Sequence, residues 1–393
     1  MLFERGDKGM IYLDHSATTP IDSRVFEAMK PYLTEHYGNP SSIYRAGQDV
    51  RKVVEDARES VAKLLGAAPK EIIFTSGGTE SDNTAIKGVA LNRGNGHIIT
   101  SVIEHPAVLR VVGWLEKQGF AATYVPVGSD GLVDPDEVRK AVRADTIVIS
   151  IMHANNEIGV IQPIEEIASV AHEREIPFHT DAVQTFGKVA IDVGKMGIDL
   201  LALSAHKIYG PKGTGVLYVK KGIKFDPCVH GGHQEWGKRG GTENVAGIVG
   251  LGRAAELAAA ELEPDEKRIR KLRDRLEDGL SKGIDDVILN GSREHRLYSL
   301  ANMCVKYVEG EAMLLNLDFH GIAASSGSAC TSGSLEPSHV LLAIGLPAEI
   351  AHGSLRFSLG RTNTDEDIDK VLEVLPPIVA KLRAMSAFPR PSS

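Results

Sequence analysis

From residue 71 onward, short apolar runs alternate with longer stretches of helical periodicity. "EIIFTS" (71–76) precedes a helical stretch to about residue 93, "HIITSV" (97–102) a helix over about 107–119, and "TIVISIMH" (146–153) a helix near 163–174; "FHTD" (178–181) and "LLALS" (200–204) follow. Strand and helix at this spacing predict an α/β unit with a mostly parallel central sheet and helices on both faces. The pattern changes after about residue 260. "AELEPDEKRIRKLRDRLEDGL" carries its own apolar stripe, which predicts a charged amphipathic helix beginning near there. "SLANMCVKYV", "EAMLLNLDFHG", a Ser/Gly-rich stretch, "SLRFSLGR" and a last helix near 364–384 complete a smaller α+β unit. The expected division is a large unit at 16–260 and a small unit formed by 1–15 and 261–393. The tail "FPRPSS" is expected to fray.

Composition narrows the class. Of 393 residues, 42% are hydrophobic and 24% charged, as in an ordinary globular protein. A net charge of -8 argues against general binding to nucleic acid or to anionic membranes. The N-terminus lacks the apolar core of a signal peptide, and no apolar run approaches the roughly 18 residues of a membrane span. A cytoplasmic location is expected. Cys228, Cys304 and Cys330 are too few and too widely spaced for a disulfide framework, and no Cys-x-x-Cys pair exists. Cys228 and Cys304 lie in apolar contexts and read as structural. His230 and His233 in "HGGH" have no further ligands nearby, so no metal is expected there.

In a parallel sheet, ligands sit beyond the carboxyl ends of the strands. After "EIIFTS" comes "GGTESDN": Gly77 and Gly78 permit close backbone approach, and a helix opening at Thr79 would offer N–H groups to a phosphate. The plainer alternative is a capping box from Thr79 to Asp82. His105 follows the next strand and Asn156 the one after. Asp181, with Gln184 three positions on, and Lys207 in "AHKIYGPKG" follow the last two. Each has a simple structural reading as a cap, a turn residue or a solvated side chain. Together they suit one ligand, pyridoxal 5'-phosphate (PLP). A lysine amine forms its Schiff base, a carboxylate keeps its ring nitrogen protonated, a flat ring stacks on its face, and small residues cradle its phosphate.

"YLDHSATTP", "FTSGGTESDN", "IEHPAV", "MHANNEIG", "DAVQ", "SAHKIYGPKG", "RGGTENV", "SSGSACTSGSLEPS" and "SLRFSLGR" occur in that order. From about residue 10 to 380 the chain resembles the NifS/IscS-like cysteine desulfurases, within the class V aminotransferase family of fold type I PLP enzymes. The resemblance implies that Lys207 carries PLP, Asp181 pairs with the ring nitrogen, and Gln184 bonds the ring hydroxyl. It implies that His105 stacks on the ring and transfers protons, and that Gly78, Thr79, Ser204 and His206 bind the phosphate. Thr242 would reach the phosphate of a partner subunit, making the protein a homodimer with shared sites. Asn156 and Arg356 would hold the substrate carboxylate. In "SLRFSLG" the arginine alternates with Leu355, Phe357 and Leu359, so it faces away from the apolar side.

The resemblance also explains Cys330, set in a Ser/Gly-rich loop (about 323–336). The implied substrate is L-cysteine. Cys330 would take its sulfur as a persulfide, release alanine, and deliver the sulfur to an iron–sulfur scaffold protein of the NifU/IscU-like kind. A tether of this composition buries little and moves cheaply. An ordinary thiol is only roughly 3% thiolate at pH 7, so some group must activate it. His105, Lys207 and the substrate amine are candidates. Two departures stand out: His15 in "LDHSATT", where relatives often carry Asn or Tyr, and Gly78, which replaces a frequent alanine and is expected to be neutral. The short tail leans the reading toward the NifS-like branch. The alternatives are a selenocysteine lyase-type PLP enzyme and a non-catalytic sulfur carrier that retains the fold.

Overall fold

The computed structural model describes residues 9–326 and 336–385; Cys330 lies outside them. Twelve strands are found among these residues. In chain order they are β1 (Ile11–Tyr12), β2 (Ile72–Thr75), β3 (His97–Ser101), β4 (Ala121–Val125), β5 (Thr146–Ser150), β6 (Phe178–Asp181), β7 (Leu200–Ser204), β8 (Gly215–Val219), β9 (Val287–Leu289), β10 (Leu300–Val305), β11 (Ile322–Ala323) and β12 (Ser354–Ser358).

The main sheet has seven strands in the order β2-β8-β7-β6-β5-β3-β4. β8 runs antiparallel to both β2 and β7, and the other pairings are parallel. β2 therefore points the same way as β7, β6, β5 and β3, and all five release their chains at one edge. The central strands are buried on both faces, which is why they read as unbroken apolar runs rather than alternating ones. Helices Arg45–Leu65, Gly78–Arg93, Pro106–Lys117 and Ile164–His172 supply the covering layers.

The helix expected from about 260 begins at Val245 and runs to Gly283, with Pro264 inside it. Its Ala/Gly-rich first half hides the apolar stripe. That half packs Ile248, Leu251 and Leu257 into the core of the main sheet, whereas Ile269, Leu272, Leu276 and Leu280 enter a second core. The second core lies on a three-stranded antiparallel sheet, β12-β10-β9, and on the last helix, Asp365–Met385. β1 pairs in parallel with β11, Ile11 opposite Ile322, so the N-terminal strand lies beside the segment that leads to Ser325.

Candidate active site

Each strand end brings one element of the site. β2 leads through Ser76 and Gly77 to the helix Gly78–Arg93. Gly77 has φ +154°, open to glycine and strained for other residues. The helix begins at Gly78, one residue earlier than expected, and the Thr79–Asp82 capping box does not form. Instead Glu80 accepts the Ser76 N–H at 2.8 Å and is itself held by Arg239 at 3.0 Å. Asp82 is turned inward and fully buried beside His179, 3.5 Å away. Ser204, at the end of β7, faces the same turn: a Cβ at Gly77 would lie 3.8 Å from its Oγ. The result is an open cradle of backbone and hydroxyl groups at a helix N-terminus, suited to a phosphate. Gly78 is not the neutral position the sequence suggests. A Cβ there would sit 2.6 Å from Val183 Cγ2, so in this chain Val183 fills the space of the absent methyl.

His105 caps the helix Pro106–Lys117, its Nδ1 accepting the Ala107 N–H at 3.1 Å. That bond leaves the proton of the neutral ring on Nε2. Burial pulls the imidazole below its ordinary value; Asp181 opposes this, and Lys207 and His339 reinforce it. Capping and ring-stacking are thus compatible, because they use different parts of the side chain.

Asp181 ends β6 and accepts the Val183 N–H on Oδ1 at 2.9 Å. Burial raises its pKa, while His105, that N–H and Lys207 pull it back. Two more carboxyls are buried nearby. Asp82 is raised well above the usual range by burial and by Asp181 and Glu104, with nothing opposing. Glu104 is pushed up to about 8, chiefly by burial, although Ser101 Oγ and Met152 N–H donate to its Oε1 at 2.6 and 2.9 Å. Of the three carboxyls only Asp181 has basic neighbours, His105 and Lys207, that favour its charged form. That is the electrostatic requirement for holding a ring nitrogen in its protonated form. Gln184 donates to the Ser16 carbonyl at 3.0 Å and leaves Oε1 buried without a partner, free for a ligand hydroxyl.

Lys207 closes the short turn after β7, and its Nζ donates to the carbonyls of Ser16 and, at 2.8 Å, Ala17. Two residues on, Tyr209 has φ +65°, a strained backbone at the base of the lysine turn. His206 points away to Thr18 Oγ1 at 3.1 Å and is lowered to about 4 by burial and neighbouring lysines, so any phosphate contact from it would be neutral.

Arg356 stands on β12 in a strand buried throughout. Its Nη1 donates to the Asn156 carbonyl at 3.0 Å and its Nη2 to Asp14 Oδ1 at 2.8 Å. Its backbone exchanges two hydrogen bonds with Ser325, which places the start of the Cys330 segment beside the Arg356 main chain. Ser338, beyond that segment, donates to Glu157, and His339 to the Glu104 carbonyl. Both ends of the Cys330 segment are therefore fixed at the site. Thr242 is exposed and makes no hydrogen bond to this cluster. Cys304 is buried, its thiol pushed up to about 11, and Cys228 is half-buried with its thiol also raised by burial; neither is primed as a nucleophile.

Sequence reasoning missed Asp14, Asp82, Glu104 and His339. The first three lie within quoted motifs, but nothing local distinguishes them from caps or surface acids. Among the described residues no group of three or more His, Cys, Asp or Glu side chains could hold a metal ion, and no helix is long and apolar enough to cross a membrane.

Comparisons with known proteins identify the family. Residues 11–371 match the aminotransferase class-V family. The chain is 60% identical over 378 residues to "Cysteine desulfurase IscS" of Methanosarcina thermophila, covering 96% of this chain and 93% of that one. It is 56% identical over 383 residues to the protein of the same name in Dictyoglomus turgidum, covering 97% of both. Among solved structures, a "NIFS-like protein" superposes with TM-score 0.90 at 40% identity, covering 95% of this chain and all of that one. "SspA in complex with cysteine" superposes with TM-score 0.80 at 41% identity, covering 89% and 98%. Names of both branches occur, so they do not bear out the lean toward the NifS-like one.

Proposed function

Because the chain belongs to the class-V aminotransferase family, we propose that this site binds pyridoxal 5'-phosphate on Lys207 and that the protein is a cysteine desulfurase, giving L-alanine and a persulfide on Cys330. The observation that carries the reading is the convergence of Lys207, Asp181, His105 and the glycine cradle at one sheet edge. The buried, unpartnered Gln184 Oε1 fits the cofactor's hydroxyl, and Asp181, whose charged form His105 and Lys207 favour, fits its ring nitrogen. When bound, the cofactor supplies an electron sink next to the substrate Cα.

The chain's own residues do the rest. Arg356 grips the substrate carboxylate, with the Asn156 side chain alongside. His105 presents Nε2 to the reacting face and moves protons there. Gly78, Thr79 and Ser204 hold the phosphate, with His206 at its edge. The Cys330 sulfur forms a bond to the substrate sulfur as the substrate's Cβ–S bond breaks, so one sulfur atom moves to the enzyme and alanine leaves. Ser325 is five residues from Cys330, a reach of at most about 18 Å, enough to bring the thiol to a substrate held by Arg356.

The sulfur would pass to a NifU/IscU-like scaffold for iron–sulfur cluster assembly, in the cytoplasm. Catalysis by a homodimer, with Thr242 on the partner's phosphate, is supported by the exposure of Tyr37, Ile43 and Trp236, and by a surface cavity that Ser41, Trp236 and Glu243 line together. The division at residue 260 belongs to the same reading and is supported by the two cores that the helix Val245–Gly283 joins.

Borohydride reduction followed by peptide mapping should find a pyridoxyl group on Lys207. Mass spectrometry after addition of L-cysteine should find one added sulfur on Cys330 and none on Cys228 or Cys304. Cys330→Ala should abolish that adduct and sulfur transfer while retaining the cofactor. A protein that binds no cofactor, or turns over L-cysteine fully without Cys330, is not this enzyme.

A further inference from the structure

The stretch "LDHSATT" is not absorbed by the roles above. Asp14 comes from the turn after β1 and is locked onto the end of β12. His15 N–H donates to the Ser358 carbonyl at 3.1 Å, Ser358 N–H to the Leu13 carbonyl at 2.7 Å, and Ser16 N–H to Ser358 Oγ at 2.8 Å. The Asp14 carboxylate meets Arg356 Nη2 at 2.8 Å. The guanidinium side chain is 3% exposed and the carboxylate 19%, so the acid stands on the open side of the pair. Arg356 Nε is buried without a hydrogen-bond partner. Ser16 and Ala17, further along the same turn, offer their carbonyls to Lys207 Nζ. One turn thus gives a carboxylate to the arginine and carbonyl oxygens to the lysine amine. These are the two groups that an α-amino acid engages with its carboxylate and amino ends.

We propose that Asp14 is a built-in counter-ion that stands in for the substrate carboxylate on Arg356 and sets how tightly amino-acid carboxylates bind. This rests on the assignment of Arg356 as the carboxylate grip. A guanidinium this deeply buried needs a counter-charge whenever the site is empty, and Asp14 supplies it. An arriving carboxylate must either displace Asp14 or share the guanidinium with it. Both weaken binding, the first by competition and the second by repulsion between like charges. Glu157, a second acid that interacts electrostatically with Arg356, is pushed up to about 7 by burial and bonded to Ser338, so it competes less. Asp14 acts through Arg356 and is a positioning residue.

The test uses Asp14→Asn, whose side-chain oxygen can still accept from Nη2. On the cofactor-loaded protein, dissociation constants of L-alanine and L-alaninamide are read from changes in the cofactor's absorption. L-Alanine should bind about tenfold tighter to Asp14→Asn than to the wild type, and L-alaninamide should not. KM for L-cysteine should fall more than kcat changes, and Asp14→Glu should restore wild-type discrimination. If Asp14→Asn does not load cofactor, Asp14→Ser is read in the same way. Equal changes for both ligands, no change, or weaker alanine binding would overturn the proposal. Arg356→Lys separates the two readings: if it leaves the alanine-to-alaninamide ratio untouched, the assignment of Arg356 fails. A ratio that collapses there but stays fixed in Asp14→Asn sinks only the role of Asp14.

Discussion

The strand-end region and the Arg356 region control charge in opposite ways. Beyond β2, β3, β6 and β7, carboxyls and imidazoles are stripped of water and few are directly paired. Burial sets the direction of each shift: it raises Asp82, Glu104 and Asp181 and lowers His105, and of these three acids only Asp181 has basic neighbours, His105 and Lys207, that favour its charged form. On β12, by contrast, the charge of Arg356 is met at 2.8 Å by an acid brought from the other end of the chain. The first region is built to bias proton positions. The second is built to exchange one carboxylate for another. A site that shuffles protons and also recognises a zwitterion needs both.

The comparison is broken most directly at Asp181. Asp181→Asn removes the one carboxylate of the cluster that basic neighbours favour. Turnover should fall by about 10²–10³-fold, with the cofactor still reducible onto Lys207. A loss of less than about tenfold would mean that Asp82 or Glu104 carries the charge instead.

Glu104 sharpens the desolvation side. Its folded-state pKa of about 8 lies above its ordinary value of 4.5, so the fold binds a proton that the unfolded chain releases. The stability this contributes is complete below about pH 4.5 and is lost as pH rises toward 8. Glu104→Gln keeps an acceptor for Ser101 and Met152 and places an amide where Oε2 is unpartnered. Chemical denaturation of the variant should show a flatter decline between pH 5 and pH 8 (roughly), with a difference of a few kcal/mol (order of magnitude) at the alkaline end. Parallel curves for the two proteins would show Glu104 ionised in the fold.

The smallest effect is expected at Gly78. Gly78→Ala drives a methyl toward Val183 Cγ2 and should cost about 1–3 kcal/mol. Val183→Ala in the same chain should recover most of it. Additive losses in the thermal melts would show that the two side chains do not share one space.

Much of the site was legible because a parallel sheet puts functional residues just after strands, and the strands announce themselves as apolar runs. "IEHP", "FHTD" and "LLALSAHK" put His105, Asp181 and Lys207 at or just beyond strand ends, and β3, β6 and β7 do end there. Three features were not legible. Asp82 looked like half of a capping box, yet its helix starts at Gly78 and turns it inward to His179. The helix from Val245 looked as if it began near residue 260, because its first half is Ala/Gly-rich and shows no apolar stripe. Gly78 looked neutral because only the fold places Val183 against it.

The order of motifs along the chain determined the fold class, the family, the cofactor and the residues at the strand ends, since each depends on local pattern and short spacing. Tertiary structure alone decided which buried acid has basic neighbours, what fills the space beside Gly78, and which residue answers Arg356. Those outcomes depend on dielectric and distance between groups far apart in sequence, 342 positions in the case of Asp14 and Arg356, and no local pattern records them.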